Sequence, residues 1–231
     1  MLYGQVAGHR PALAEVEDIA LIDFDLATVA GDGRRHSRLY LHGFGGDKRQ
    51  LRPLGESLDA PAVTSMYASL RAHGASFKPA WGYSVLDFAA DVHRVADVLP
   101  GPIDFIGYSY GALVAAACAL TWAADRTRSL VVIDQSFDAD PARHVADEWA
   151  EGSYLRWTYG YGGMLERLAA PTLLLTAADS AMVSAAELAR LRGRCGTRLT
   201  AGLIAGAHDT CLNDPGGVAR EISRFYAAHF G

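Results

Sequence analysis

Hydrophobic and polar positions divide the chain into two alternating kinds of segment. Short apolar runs rich in β-branched residues, such as Leu130-Val131-Val132-Ile133, are typical of strands buried on both faces. Other segments repeat apolar residues at helical spacing, as Val85, Phe88 and Val92 do within 84–99. Strands are therefore predicted within 16–29, 38–41, 62–70, 104–106, 130–133, 172–176 and 198–204. Helices are predicted over 47–58, 84–99, 110–124, 185–194 and 215–230.

This alternation predicts an α/β protein with a mostly parallel central sheet and helices on both of its faces. One domain over 1–231 is the simplest division for a chain of this length. The interval 136–170 breaks the rhythm and is too long for an ordinary connection, so it is predicted to be a cap or lid insertion. Its aromatic residues Trp149, Tyr154 and Trp157 are expected to bind substrate.

Composition and charge exclude several partners. The formal net charge of −5 gives no reason to expect nucleic acid or an anionic membrane surface. The longest apolar stretch, 112–124, is too short to cross a bilayer, and the N-terminal residues do not resemble a signal peptide. Cys118, Cys195 and Cys211 lack metal-ligand or redox spacing. A cytoplasmic protein with reduced thiols and no membrane partner is expected.

One apolar run ends in a pattern that carries chemistry. After Asp104-Phe105-Ile106 the chain reads Gly107-Tyr108-Ser109-Tyr110-Gly111 and then continues as an Ala-rich helical pattern. This spacing is that of a nucleophile elbow, a tight strand-to-helix turn with the serine at its apex. Glycines two residues on either side of the serine fit, because larger side chains would collide across so sharp a turn.

Further polar residues follow other predicted strands. Asp134 comes directly after 130–133, Asp179 shortly after 172–176, and His208 after 198–204. Ligands of an open α/β sheet bind at the carboxyl ends of its strands, so these side chains are expected near Ser109. The order of these residues along the chain is serine, acid, histidine.

Taken together, these motifs resemble the α/β-hydrolase fold family over essentially the whole chain. The resemblance rests on His42-Gly43-Phe44-Gly45-Gly46, the stretch 70–79, the elbow, the stretch 171–179 and Gly206-Ala207-His208. The chain departs from the family pattern in three ways: Ala72 stands where glycine is usual, no Asp precedes Leu70, and Thr176 stands where glycine is frequent. None of these changes touches a proposed catalytic group.

The resemblance implies a role for each site residue. Ser109 would be the nucleophile, His208 the general base and then acid, and Asp179 the carboxylate that orients the imidazole. Asp134 also lies at a strand end where some family members carry the acid, and Asp179 is preferred for its loop position. The backbone N–H groups of Phe44 and Tyr110 would form the oxyanion hole.

The expected function is a serine hydrolase that cleaves an ester or thioester of a small, apolar or aromatic acyl group, with no cofactor or metal. The same Ser-His pair could instead serve a carbon–carbon bond hydrolase, or a lyase, cyclase or isomerase that forms no acyl-enzyme. A non-catalytic binding protein on this fold would be expected to lack one of these groups. The expected partner is a small-molecule substrate, and the oligomeric state stays open.

Overall fold

The structure is a computed structural model that describes residues 3–6, 22–28, 36–58, 60–138 and 163–231. The described residues form eight strands: β1 (Tyr3–Val6), β2 (Asp23–Thr28), β3 (His36–Leu41), β4 (Val63–Ala68), β5 (Ile103–Tyr108), β6 (Thr127–Ile133), β7 (Thr172–Ala177) and β8 (Leu199–Ile204). They form one sheet in the order β1-β2-β4-β3-β5-β6-β7-β8. Only the β2–β4 pairing within it is antiparallel, so the predicted mostly parallel sheet is confirmed.

Helices cover both faces of this sheet. In the described part of the chain they are α1 (Arg52–Ser57), α2 (Val85–Ala96), α3 (Tyr110–Leu120), α4 (Met164–Arg167), α5 (Ala185–Cys195) and α6 (Pro215–Phe230). Alternate residues of β3 pack into the hydrophobic cores on opposite faces of the sheet, because successive strand side chains point to opposite faces. Leu39 and Leu41 pack in one core with α2 and α3. Tyr40 packs in the other core with α1 and α6.

Three helices are shorter than the pattern predicts: α2 spans Val85–Ala96 rather than 84–99, and α1 and α3 are also shortened. α1 begins at Arg52 rather than at residue 47, because residues 47–50 form turns in which the Gln50 side chain accepts a hydrogen bond from Gly43 N–H (2.8 Å). α3 ends at Leu120 rather than near 124, where Thr121 Oγ1 donates to the Ala117 carbonyl (2.6 Å). Side-chain hydrogen bonds to the backbone are thus present at the start of α1 and at the end of α3.

The ends of the predicted cap interval that the structure describes are attached to α5. The buried Glu187 carboxylate accepts bonds from Ser136 Oγ (2.6 Å) and Phe137 N–H (2.7 Å). Arg190 donates to Asp138 on one side and to Glu166 on the other. Residues 139–162, between these ends, lie outside the described residues, so the cap assignment stays a prediction.

Candidate active site

Ser109 lies at the turn between β5 and α3 in a strained backbone conformation. Its φ of 50° and ψ of −127° are unusual for a residue with a side chain. Such a conformation persists only where the surrounding structure holds the backbone in place. A Cβ on Gly107 would lie 2.6 Å from Ala112 N, and one on Gly111 would overlap the Leu41 and His42 carbonyl oxygens. Both glycines are therefore required by close approach of the backbone, as the elbow pattern predicts.

His208 reaches Ser109 from the loop that follows β8. Its Nε2 lies 2.9 Å from Ser109 Oγ. Gly206, at φ 92°, begins the turn, and Thr210 Oγ1 accepts a bond from Ala207 N–H (2.9 Å). These local bonds direct the loop back toward the elbow, so that residues 99 positions apart in sequence come into contact.

The acid beside His208 is Asp134, which corrects the sequence-based preference for Asp179. Asp134 Oδ2 lies 2.8 Å from His208 Nδ1, and its side chain is 1% exposed. Asp179 lies in the exposed turn after β7, where its backbone N–H donates to the Gly206 carbonyl (2.9 Å). Asp134 follows β6 without an intervening residue, and its φ of 46° turns the chain at the strand end.

Hydrogen bonding keeps the Asp134 carboxyl ionised despite its surroundings. Burial opposes the charge, but bonds from His208, Ala177 N–H and the Ser180 side chain outweigh it and hold the pKa of Asp134 below its ordinary value. Ala177 N–H donates to Oδ1 (2.9 Å), which leaves Oδ2 for the imidazole. An ionised carboxylate only accepts, so His208 Nδ1 carries the proton and Nε2 can accept from the serine hydroxyl.

The loop after β3 (residues 42–46), called the oxyanion loop here for the donor predicted at Phe44, lies against the elbow. A Cβ on Gly43 would lie 2.8 Å from the Tyr108 ring and 3.3 Å from Ser109 Cβ, so only glycine allows this approach. The Phe44 and Tyr110 rings meet edge to face, with centroids 6.4 Å apart. Tyr110 is the first residue of α3, where backbone N–H groups point toward the helix N-terminus. The two residues predicted to supply oxyanion donors are thus neighbours.

His42 holds this loop to the end of β4. Its Nδ1 lies 2.7 Å from the Gly43 carbonyl, and its Nε2 accepts a bond from Leu70 N–H (2.9 Å). Nδ1 therefore carries the proton and donates. Burial lowers the pKa of His42 to about 4, so the ring is neutral at pH 7. Its two ring bonds hold the oxyanion loop in place, and it lies apart from the chain of hydrogen bonds at Ser109.

Three other features concern the aromatic residues of the predicted cap, metal binding and membrane spans. Trp149, Tyr154 and Trp157 lie outside the described residues, so their assignment as substrate-binding residues stays a prediction. Within the described ranges, no group of three or more His, Cys, Asp or Glu side chains is arranged to hold a metal ion. No helix in those ranges is long and apolar enough to cross a membrane.

Sequence reasoning did not identify a role for Tyr108. This residue precedes Ser109, and its side chain contacts both the oxyanion loop and His208. Tyr108 occupies a variable position between Gly107 and Ser109 in the elbow pattern, so the pattern does not predict these contacts.

Comparisons with known proteins identify the family of this chain and the fold that it shares with solved structures. A family model described as "Alpha/beta hydrolase family" matches residues 39–229. Among solved structures, Est1E from Butyrivibrio proteoclasticus with bound ferulic acid is 15% identical, with a TM-score of 0.75 over 91% of this chain and 96% of that chain. The thioesterase domain from the curacin biosynthetic pathway is 18% identical, with a TM-score of 0.67 over 86% of this chain and 94% of that chain.

A thermophilic esterase from Thermogutta terrifontis, also 18% identical, has a TM-score of 0.71 over 91% of this chain and 94% of that chain. At such identities these structures show a shared fold alone. No curated protein matched the chain. The family model spans most of the sequence and includes Ser109, Asp134 and His208. The chain belongs to the alpha/beta hydrolase family, and the fold predicted from the sequence is confirmed.

Proposed function

We propose that the protein is a serine hydrolase that cleaves an ester or thioester through an acyl-enzyme on Ser109. The observation that carries this proposal is the chain of hydrogen bonds from Ser109 Oγ to His208 (2.9 Å) and on to Asp134 (2.8 Å). Asp134 replaces Asp179 as the proposed acid, because it is the carboxylate within hydrogen-bond distance of the imidazole.

Each group has a defined step. His208 Nε2 takes the Ser109 proton as Oγ attacks the carbonyl carbon, and Asp134 stabilises the imidazolium that forms. The N–H groups of Phe44 and Tyr110 would donate to the oxyanion, a contribution of about 3 kcal/mol per donor in comparable sites. His208 then gives its proton to the leaving alkoxide or thiolate. Water, deprotonated by the same nitrogen, releases the acid and restores Ser109.

An apolar or aromatic acyl group suits the surroundings of the serine. The Phe44 side chain is 42% exposed beside the Tyr110 ring and close to His73 (centroids 5.6 Å apart). Such partly exposed rings offer a surface on which an aromatic acyl group can stack. The solved structure of Est1E, which shares this fold, holds ferulic acid, itself an aromatic acid.

Labelling with a fluorophosphonate, followed by mass spectrometry of the modified peptide, tests the nucleophile. Modification is expected at Ser109 and is absent in Ser109→Ala. In His208→Ala its rate falls by a factor on the order of 10⁴ or more. Ser57→Ala, which removes an exposed hydroxyl from α1, is the matched control and labels at the wild-type rate. A folded protein that is not labelled would overturn the proposal.

A panel of p-nitrophenyl esters then tests the acyl group and the reaction type. Aromatic and medium-chain acyl esters are expected to have a higher kcat/KM than the acetate. A burst of p-nitrophenol equal to the enzyme concentration indicates the acyl-enzyme, which a lyase, cyclase or isomerase does not form. Equal kcat/KM across the panel would contradict the acyl preference but leave the nucleophile unaffected.

A further inference from the structure

Tyr108 lies between the oxyanion loop and the loop after β8 that carries His208, which we call the histidine loop. It is the last residue of β5, its side chain is buried, and its ring fills the space that a Cβ on Gly43 would need. On its other side, the ring stacks on the His208 imidazole, with centroids 5.2 Å apart and planes at 27°. One side chain thus contacts both the oxyanion loop and the histidine loop.

The Tyr108 hydroxyl also holds the backbone of His208. It donates to the His208 carbonyl oxygen, which accepts a second, weaker bond from Cys211 Sγ (3.3 Å). Burial and the nearby carboxylates raise the pKa of Tyr108, so the hydroxyl keeps its proton and remains a donor. The bond spans 100 residues of sequence and joins the elbow strand directly to the histidine loop.

His208 needs such a support because its side chain is 31% exposed and extends from a loop. Its two ring bonds go to Ser109 and Asp134, and the first of these breaks and re-forms during the reaction proposed above. The contacts of Tyr108 involve the ring face and the backbone carbonyl, neither of which changes its bonding when Nε2 gains or loses a proton. They can therefore hold the imidazole through the whole cycle.

We infer that Tyr108 is a positioning residue that keeps His208 aligned with Ser109 through its hydroxyl bond and its stacked ring. The inference rests on the proposed function, since alignment matters only if His208 transfers protons. Small misplacements of a catalytic base are costly, because proton transfer requires hydrogen-bond geometry in the reacting state.

The test is Tyr108→Phe, which removes the hydroxyl and keeps the stacked ring. With a p-nitrophenyl ester, kcat is expected to fall about tenfold with KM unchanged, the factor that corresponds to one net hydrogen bond. The matched control is Tyr226→Phe on α6. It removes a buried hydroxyl near Arg128, at the amino end of β6 and away from Ser109. Both variants are compared by their unfolding midpoints, and only Tyr108→Phe is expected to change kcat.

A double-mutant cycle separates positioning from a general structural effect. If Tyr108 acts through His208, Tyr108→Phe leaves the residual activity of His208→Ala unchanged. A tenfold loss in both backgrounds, or wild-type kcat in the single variant, would overturn the inference. Tyr108→Leu, which also removes the stacked ring, should lose more than Tyr108→Phe. Failure of the proposed function is recognised separately, by the absence of fluorophosphonate on wild-type Ser109.

Discussion

Replacing Asp134 by Asn exchanges one carboxylate oxygen for an NH₂ group, and the hydrogen bonds around Asp134 predict the effect on His208. Oδ1 of Asp134 accepts from Ala177 N–H (2.9 Å), so the amide oxygen of Asn is expected to keep that bond. Its NH₂ group then faces His208 Nδ1, where the carboxylate oxygen Oδ2 now lies at 2.8 Å. An NH₂ group can only donate, so Nδ1 must become the acceptor and the ring proton moves to Nε2.

With its proton on Nε2, His208 cannot take the proton of Ser109, although every atom of the site stays near its place. A change of tautomer of this kind in a serine protease lowers kcat by about 10⁴, which corresponds to roughly 5 kcal/mol of transition-state stabilisation. We therefore expect Asp134→Asn to reduce kcat by about 10⁴ with little change in KM.

The assay is steady-state hydrolysis of a p-nitrophenyl ester at pH 7.5, with Asp179→Asn as the matched control. Because the Asp179 side chain is exposed, this control is expected to retain activity within about twofold, as surface substitutions usually do. If Asp134→Asn keeps more than a tenth of wild-type activity while Asp179→Asn loses orders of magnitude, the reasoning from the hydrogen bonds is refuted.

Stability provides a second readout of Asp134. The pKa of its carboxyl is below the unfolded value, since bonds from His208 and Ala177 N–H overcome the effect of burial. Its charge therefore stabilises the fold above the unfolded pKa of about 4, and this contribution is lost as the pH falls through the folded pKa. The difference in unfolding free energy between wild type and Asp134→Asn should be largest near neutral pH and shrink below about pH 4.

Three further substitutions test the scaffold around the site. Gly111→Ala would push a Cβ into the carbonyl oxygens at the end of β3, so the unfolding free energy measured in urea should fall by about 2 kcal/mol or more. In the control Gly193→Ala, the new Cβ has open space around it, so the unfolding free energy should stay the same or rise. Because the pKa of His42 is about 4 when folded and near 6.5 when unfolded, wild type should lose up to about 3 kcal/mol as the pH falls from 6.5 to 4, and His42→Gln should lack this slope. Glu187→Ala leaves Phe137 N–H without its buried acceptor and should lower the unfolding free energy by about 2 kcal/mol. Glu187→Gln keeps an acceptor oxygen and should lose less. Equal losses of unfolding free energy in the two variants would contradict this prediction.

Local features of the sequence predicted the parts of the site that depend on neighbouring residues. Gly107 is needed because a larger side chain would meet the backbone of Gly111 and Ala112 within the turn itself, whereas Gly111 is needed because of the carbonyl oxygens at the end of β3; the local spacing predicted both glycines. His208 was identified as a polar residue that follows a predicted strand, and the oxyanion loop through the family resemblance of His42-Gly43-Phe44-Gly45-Gly46. The sheet followed from apolar runs separated by helical spacing. These signals depend on short-range sterics and burial, which a single sequence records directly.

The choice of the acid could not be read from such signals. Asp134 and Asp179 both follow buried strands, and the residues around each one are compatible with a catalytic loop. What separates them is which strand end faces His208, and that depends on the twist and order of β6, β7 and β8 across the sheet. The same holds for Glu187, whose partners Ser136 and Phe137 are about 50 residues away.

The sequence by itself determined that this chain is an α/β protein with a serine at a strand-to-helix elbow and a histidine after its last strand. Only the tertiary structure decided that Asp134 is the carboxylate that meets His208, and that Tyr108 joins the histidine loop to the oxyanion loop. The physical reason is range. The elbow and the apolar runs are patterns of consecutive residues, whereas a hydrogen bond across 74 or 100 residues exists only after the sheet has brought its strand ends together.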